Sequence, residues 1–144
     1  TNIANKIVIF ATQDVQINVP ISLTSSGFLA IIAKGNISVV STVGNSSRPL
    51  NPTSTDASLT GVFLADGNFQ GGHRPDGQPD TQLVIYGTVG ADMDLNGSGN
   101  VQGQRDMGTF NSRPGVAYVW NPNLLINAPS ELFEALTDWR EVAP

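Results

Sequence analysis

The sequence contains no cysteine, a single histidine and only 13% charged residues. Each shortage excludes something. Without cysteine there is no disulfide framework and no thiolate metal site. His73 alone cannot build a transition-metal centre, which needs several ligands. No apolar run approaches the length of a membrane-spanning helix. The start, at Thr1, lacks the charged and apolar regions of a signal peptide. The chain therefore reads as a piece of something longer whose targeting signal lies elsewhere. Charge is about half the usual share, and the net value is −5. Lys6, Lys34 and Arg48 balance Asp14, Asp56 and Asp66 in residues 1–70, so all the excess acid lies in 71–144. With no basic stripe, the chain is not built to neutralise phosphates or to hold an anionic membrane. No nucleophile elbow, His-Glu-x-x-His, phosphate loop or Ser/His/Asp arrangement occurs, so no enzymatic activity is expected.

What is present is a neutral polar chain of 144 residues, long enough for one domain with a real core. Runs such as "KIVIF", "FLAIIA", "LTGVFLA", "QLVIYGTV" and "VAYVW" are β-branched or aromatic and bounded by Gly, Asn, Asp or Pro, which marks strands. One phrase recurs: an apolar–Ala step, a short polar turn, then an alternating strand, as in "IIAKGNISVV". Aligned on Ala11, Ala33, Ala65 and Gly87, the copies are offset by 22, 32 and 22 residues. The long interval holds "SSRPLNPTST", a loop by composition, and a second loop, "NGSGNVQGQRD", precedes a last copy in "VWNPNLLINAP". Val15, Ile17 and Val19 then correspond to Ile37 and Val39, to Phe69, to Ala91, Met93 and Leu95, and to Leu124 and Ile126.

A fixed period with insertions confined to one place per repeat indicates a solenoid. The expected fold is all-β, a right-handed parallel β-helix of about five coils over residues 1–129, with loop insertions near 45–56 and 96–106. Val15, Ile17, Ile37, Val39, Phe69, Val84, Met93, Leu124 and Ile126 are the expected core. The alternative is a β-sandwich, in which residues 11–19 would pair antiparallel with 31–40. Residues 130–144 read as a C-terminal cap: Ser130 can start a helix whose Leu132, Phe133, Leu136 and Trp139 cover the last coil. The first coil has no such cover. It is expected to meet upstream solenoid or another copy through strand "KIVIF", guarded only by Lys6.

The ordered phrases "GVFLADGNF", "QLVIYGTVGAD", "RDMG", "RPG", "YVWNPNLLINAP" and "WREVAP" resemble the C-terminal β-helical region of large, uncharacterised bacterial surface proteins, several of them pilin-like or pilus-associated. The likeness spans roughly residues 28–144. It departs at the inserted "NGSGNVQGQ" and at Gly115. The resemblance implies export and surface display, and brings neither an activity nor a ligand with it.

Four local patterns carry candidate chemistry. Asp92, Asp94, Asn96 and Gly97 match the first half of a calcium loop, with Asn100 as a further oxygen donor. Gly103 stands where the closing Glu should be, so this is half a shell; the competing reading is a strand followed by an Asn-Gly turn. His73, Arg74, Asp76 and Asp80 fall in a Gly/Pro-rich stretch that reads as an exposed loop. Arg105 and Asp106 near Asp92 and Asp94 echo the acid-and-base clusters of carbohydrate-active β-helices, although sequence proximity alone does not make a site. Asn36, Asn45 and Asn96 each head an acceptor pattern for glycosylation. The expected function is a non-enzymatic structural or adhesive module at the cell surface, without a cofactor other than calcium at that half-shell. A glycan-binding adhesin, or a lyase- or hydrolase-like β-helix, is the alternative.

Overall fold

The computed structural model describes residues 2–45, 56–92, 99–108 and 114–134, with residues 133 and 134 by backbone alone. In chain order the strands are β1 (Asn2–Ile3), β2 (Lys6–Ala11), β3 (Val15–Ile17), β4 (Ser22–Leu23), β5 (Phe28–Ala33) and β6 (Ile37–Val39). They continue with β7 (Leu59–Ala65), β8 (Phe69–Gly71), β9 (Leu83–Gly90), β10 (Val101–Gly103) and β11 (Val116–Val119). Two short helices follow, α1 (Asn123–Asn127) and α2 (Glu131–Glu134).

The protein is all-β and its sheets are parallel. One sheet runs β11-β9-β7-β5-β2, a second runs β10-β8-β6-β3, and β1 pairs with β4. Each return of the chain thus adds one strand to the long sheet and one to the short sheet. Residues 11–19 and 31–40 pair in parallel, Ala11 beside Ala33 and Val15 beside Ile37, where a sandwich would pair them antiparallel. The single antiparallel contact between the described segments is an isolated bridge, Asn45 with Gln82.

Strand alternation explains the core. Ile31, Ala33, Phe63, Leu83 and Ile85 point inward from the long sheet and meet Ile17, Ile37, Val39 and Phe69 from the short one. Phe63 and Phe69 are fully enclosed, their ring centroids 6.2 Å apart. Burying each such side chain stabilises the fold by about 1.5–3 kcal/mol. Of the expected core, Ile17, Ile37, Val39, Phe69, Val84 and Leu124 are buried, Val15 is half-buried, and Met93 lies outside the described residues.

The repeat register holds for three copies and then slips. Ala11, Ala33 and Ala65 do stand side by side. Gly87, however, pairs with Gly61, and Gly90 with Leu64, so the position beyond Ala65 falls to Ala91. The neighbour of Phe69 is Val101, not Ala91, and β10 runs through a stretch whose Gly, Ser and Asn content suggests only loop. Met93 and Leu95 lie outside the described residues. Sequence alignment favoured the nearest small residue, whereas register is fixed by which residues face the core.

The fifth phrase is a helix, which corrects the reading of Leu124 and Ile126 as strand positions. Asn121 Oδ1 accepts the Asn123 N–H at 3.1 Å, an Asx turn that diverts the chain after β11. Helix α1 buries Leu124 and leaves Ile126 78% exposed. Leu124 and Leu132 rest on the outer face of the long sheet against Phe28 and Ala30. That places Leu132 beside the middle strands rather than over the last coil. The side chain of Phe133, and all of Leu136 and Trp139, lie outside the described residues.

Candidate functional site

Where the chain passes from long sheet to short sheet, three of the four turns carry a Gly-Asn dipeptide: Gly35-Asn36, Gly67-Asn68 and Gly99-Asn100. These asparagines stack. Asn36 donates its backbone N–H to Asp14 Oδ1 at 2.7 Å and its side-chain amide to the same oxygen at 3.3 Å. Asn68 repeats this on Asn36 Oδ1, at 2.8 and 3.2 Å. Asn100 gives its backbone N–H to Asn68 Oδ1 at 3.0 Å, and Gln102 adds its side-chain amide at 3.4 Å. The ladder satisfies the backbone N–H of each turn, which would otherwise be left bare where the sheet hydrogen bonds stop. Asp14, whose side chain only accepts, suits the first position, because Asn36 and Asn68 each donate a side-chain amide as well as accept. The preceding glycine is needed for packing: a Cβ on Gly67 would press against Asn36 Oδ1. Asn36, a glycosylation acceptor by sequence pattern, has its side-chain amide committed on both sides.

The half-shell for calcium overlaps this ladder. Asp94 and Asn96 lie outside the described residues. Asp92 adopts a left-handed backbone, φ 58°, and its carboxylate takes the Gly99 N–H at 3.4 Å. Asn100 serves the ladder through its N–H. Among the described residues, no group of three or more His, Asp or Glu side chains is placed to hold a metal ion.

The His73–Asp80 stretch is more structured than its composition suggests. Asp80 is fully buried and accepts His73 Nδ1–H at 3.0 Å, the Arg74 N–H at 2.9 Å and the Asp106 N–H at 2.7 Å. It pins the loop to the following turn. Arg74 and Asp76 form an exposed pair at 2.7 Å. Their mutual hydrogen bond raises the arginine and lowers the carboxyl from ordinary values.

Arg105 forms no salt bridge with a carboxylate among the described residues. It is buried, and its guanidinium donates to the carbonyls of Val40, Ser41, Val43 and Thr81. Burial pushes it down from its usual value, and Asp80 acts in the opposite direction. Asp106 is exposed, and its Oδ1 takes the Gly108 N–H at 2.8 Å. Arg105 and Asp106 are thus parts of turn architecture, and the acid-and-base cluster suggested by their closeness in sequence to Asp92 is not assembled around Arg105.

Sequence reading missed the ladder, although its signal was present: Gly-Asn directly before three of the four short-sheet strands and Asp14 before the first. Comparison with known protein families, curated proteins and solved structures finds no match to this chain.

Proposed function

We propose that the chain is a right-handed parallel β-helix serving as a non-enzymatic structural or adhesive module of a bacterial surface protein or appendage. The observation that supports this best is the in-register ladder from Asp14 through Asn36 and Asn68 to Asn100, which repeats one contact at each return of the chain. Side-chain ladders of this kind stiffen a stack without any chemistry of their own. A lyase- or hydrolase-like reading is the weaker one, since Arg105 is spent on carbonyls.

The absence of cysteine makes the stacking directly testable. Gln16 pairs with Ser38, Ser38 with Gln70, and Gln70 with Gln102, none of them in the core. Double-cysteine variants at 16/38, 38/70 and 70/102 are each expected to cross-link rapidly with a short bifunctional maleimide. A pair offset by two residues, 16/40, should react more slowly; equal rates would sink the stacked arrangement.

Partners follow from the edge. Strand β2 pairs only with β5 among the described strands, and Ile9 and Phe10 are 43% and 72% exposed. Such an edge is a template for further strand pairing. It would take upstream solenoid in a longer chain or another copy at the cell surface. Light scattering on this chain is expected to show mass rising with concentration, and Phe10→Lys is expected to suppress it. A wild-type chain that stays monomeric near millimolar concentration would remove self-association from the proposal.

A further inference from the structure

The outer face of the long sheet is divided by Leu124. Beyond it, toward the start of the strands, lies a groove of about 730 Å³, within the usual range of small-ligand sites. Its floor is the pairing of β7 with β9, where Thr60 stands beside Tyr86. One wall is β4 and the turn after it, and the other is the start of α1. The walls are tied together, since Asn127 donates its side-chain amide to Ser25 O at 2.7 Å. The site is therefore preformed.

Its lining has hydrogen-bonding capacity that the protein does not use. Thr60 is 7% exposed, yet its hydroxyl makes no hydrogen bond among the described residues. Asn121 is 5% exposed; its Oδ1 is occupied by the Asn123 N–H, while its NH₂ finds no acceptor among the described residues. Ser58, 6% exposed, accepts the Val84 N–H at 3.3 Å and keeps its own proton to give. On the same wall, the Thr24 hydroxyl is enclosed with no partner. Buried polar groups are nearly always paired, by protein or by something bound. Among these lining groups the Thr24 hydroxyl is fully enclosed without a partner among the described residues, and with the hydroxyls and amide of Ser58, Thr60 and Asn121 it makes one groove whose lining suits a polar occupant.

The chemistry of the lining selects the occupant. Among the described residues no Lys or Arg lines the groove and Asp56 is its one charged residue, so phosphates, uronates and nucleic acids are disfavoured. Hydroxyls and amides that both donate and accept do not suit a lipid. They suit vicinal hydroxyl groups. The half-buried Tyr86 ring adds an apolar surface for the C–H face of a sugar. We propose that this groove binds a neutral oligosaccharide through Thr60, Asn121 and Ser58, with Tyr86 as its stacking platform. The site goes beyond the scaffold reading and depends on neither coil stacking nor surface location.

The test is calorimetric titration of the full chain with neutral di- to tetrasaccharides from the cellulose, xylan, chitin and galactan series. Trigalacturonate and glucose 6-phosphate serve as charged counterparts, and amide shifts are mapped for any binder. At least one neutral sugar is expected to bind with a Kd below about 10 mM. The shifts should centre on residues 58–60, 86 and 121–123. Thr60→Val and Tyr86→Ala should each weaken binding at least about tenfold, whereas Thr60→Ser should retain it. Asn123→Ala, at an exposed groove-rim position that cannot disturb the core, should weaken it more modestly. Overturning results are no neutral binder up to that concentration, binding of the charged sugars alone, shifts mapping elsewhere, or unchanged affinity in correctly folded Thr60→Val and Tyr86→Ala.

Discussion

Gly87→Ala is expected to destabilise the protein by about 3 kcal/mol or more, at or beyond the top of the range for overpacking. Gly87 and Gly61 stand directly beside one another in β9 and β7, the inner strands of the long sheet. A methyl group on Gly87 would fall well inside contact distance of the Gly61 carbonyl oxygen. That oxygen is backbone and cannot swing aside as a flexible side chain would. Gly61 itself has φ 149°, a conformation that disfavours any other residue, with the Phe63 ring and the Leu29 carbonyl close by. The strands would have to separate at the centre of the sheet, losing ladder hydrogen bonds on both sides. For a chain of this size each kcal/mol lowers the melting temperature by about 2–4 °C, so a drop of about 6–12 °C is expected. Gly77→Ala is the comparison: φ is 70° there but the space is open, so its cost should be limited to about 1 kcal/mol. A Gly87→Ala melt within about 2 °C of the wild type would show that the two backbones do not approach as described.

The same glycine pair shows how far the sequence could be read. The β-branched runs and the recurring Ala11, Ala33 and Ala65 were enough for strands, parallel pairing and a three-copy register, because inward alternation is written in the residues themselves. The fourth copy failed because small residues mark two different things here. Ala65 is small to fit the core beside Ala33, whereas Gly87 is small to fit a neighbouring backbone. Composition cannot separate those causes. Asn100 was hidden for a related reason: Ser-Gly-Asn has the composition of a turn, and only a neighbouring Asn68 turns it into a ladder member. Helix α1 is too short for a 3.6-residue period to emerge from "NLLIN". The roles of Arg105, Asp80 and Thr60 depend largely on backbone groups and surfaces far away in sequence, where periodicity gives no information.

Arg105→Met should cost about 3 kcal/mol, because it leaves several buried carbonyls without their charged donor, each worth about 1–3 kcal/mol when unpaired. The methionine keeps most of the aliphatic stem, so packing is largely conserved and the loss is that of the guanidinium. Nη1 reaches Ser41 O and Thr81 O at 2.5 and 3.1 Å, while Nη2 reaches Val40 O and Val43 O at 2.9 and 3.1 Å. These carbonyls belong to the turn after β6 and to the residue before Gln82, so one side chain joins two successive returns of the chain. Val40 O has a second donor in the Val43 N–H, and Thr81 Oγ1 also bonds Ser41 O, which keeps the cost below four full desolvation penalties. No carboxylate forms a salt bridge with Arg105 among the described residues, so no orphaned counter-charge adds to the loss. Lysine, with a compact head and no planar fork, cannot serve four diverging acceptors; Arg105→Lys should recover less than half of the stability. Arg74→Met gives the contrast, since its exposed pair with Asp76 should leave the melting temperature where it is. Hydrogen exchange supplies the local readout, with Val43 and Asn45 amides, protected by Val40 O and Gln82 O, expected to open in Arg105→Met before the amides of β5 and β7. If Arg105→Met melts with the wild type, or its faster exchange is spread evenly over the sheets, the arginine is not what holds this turn.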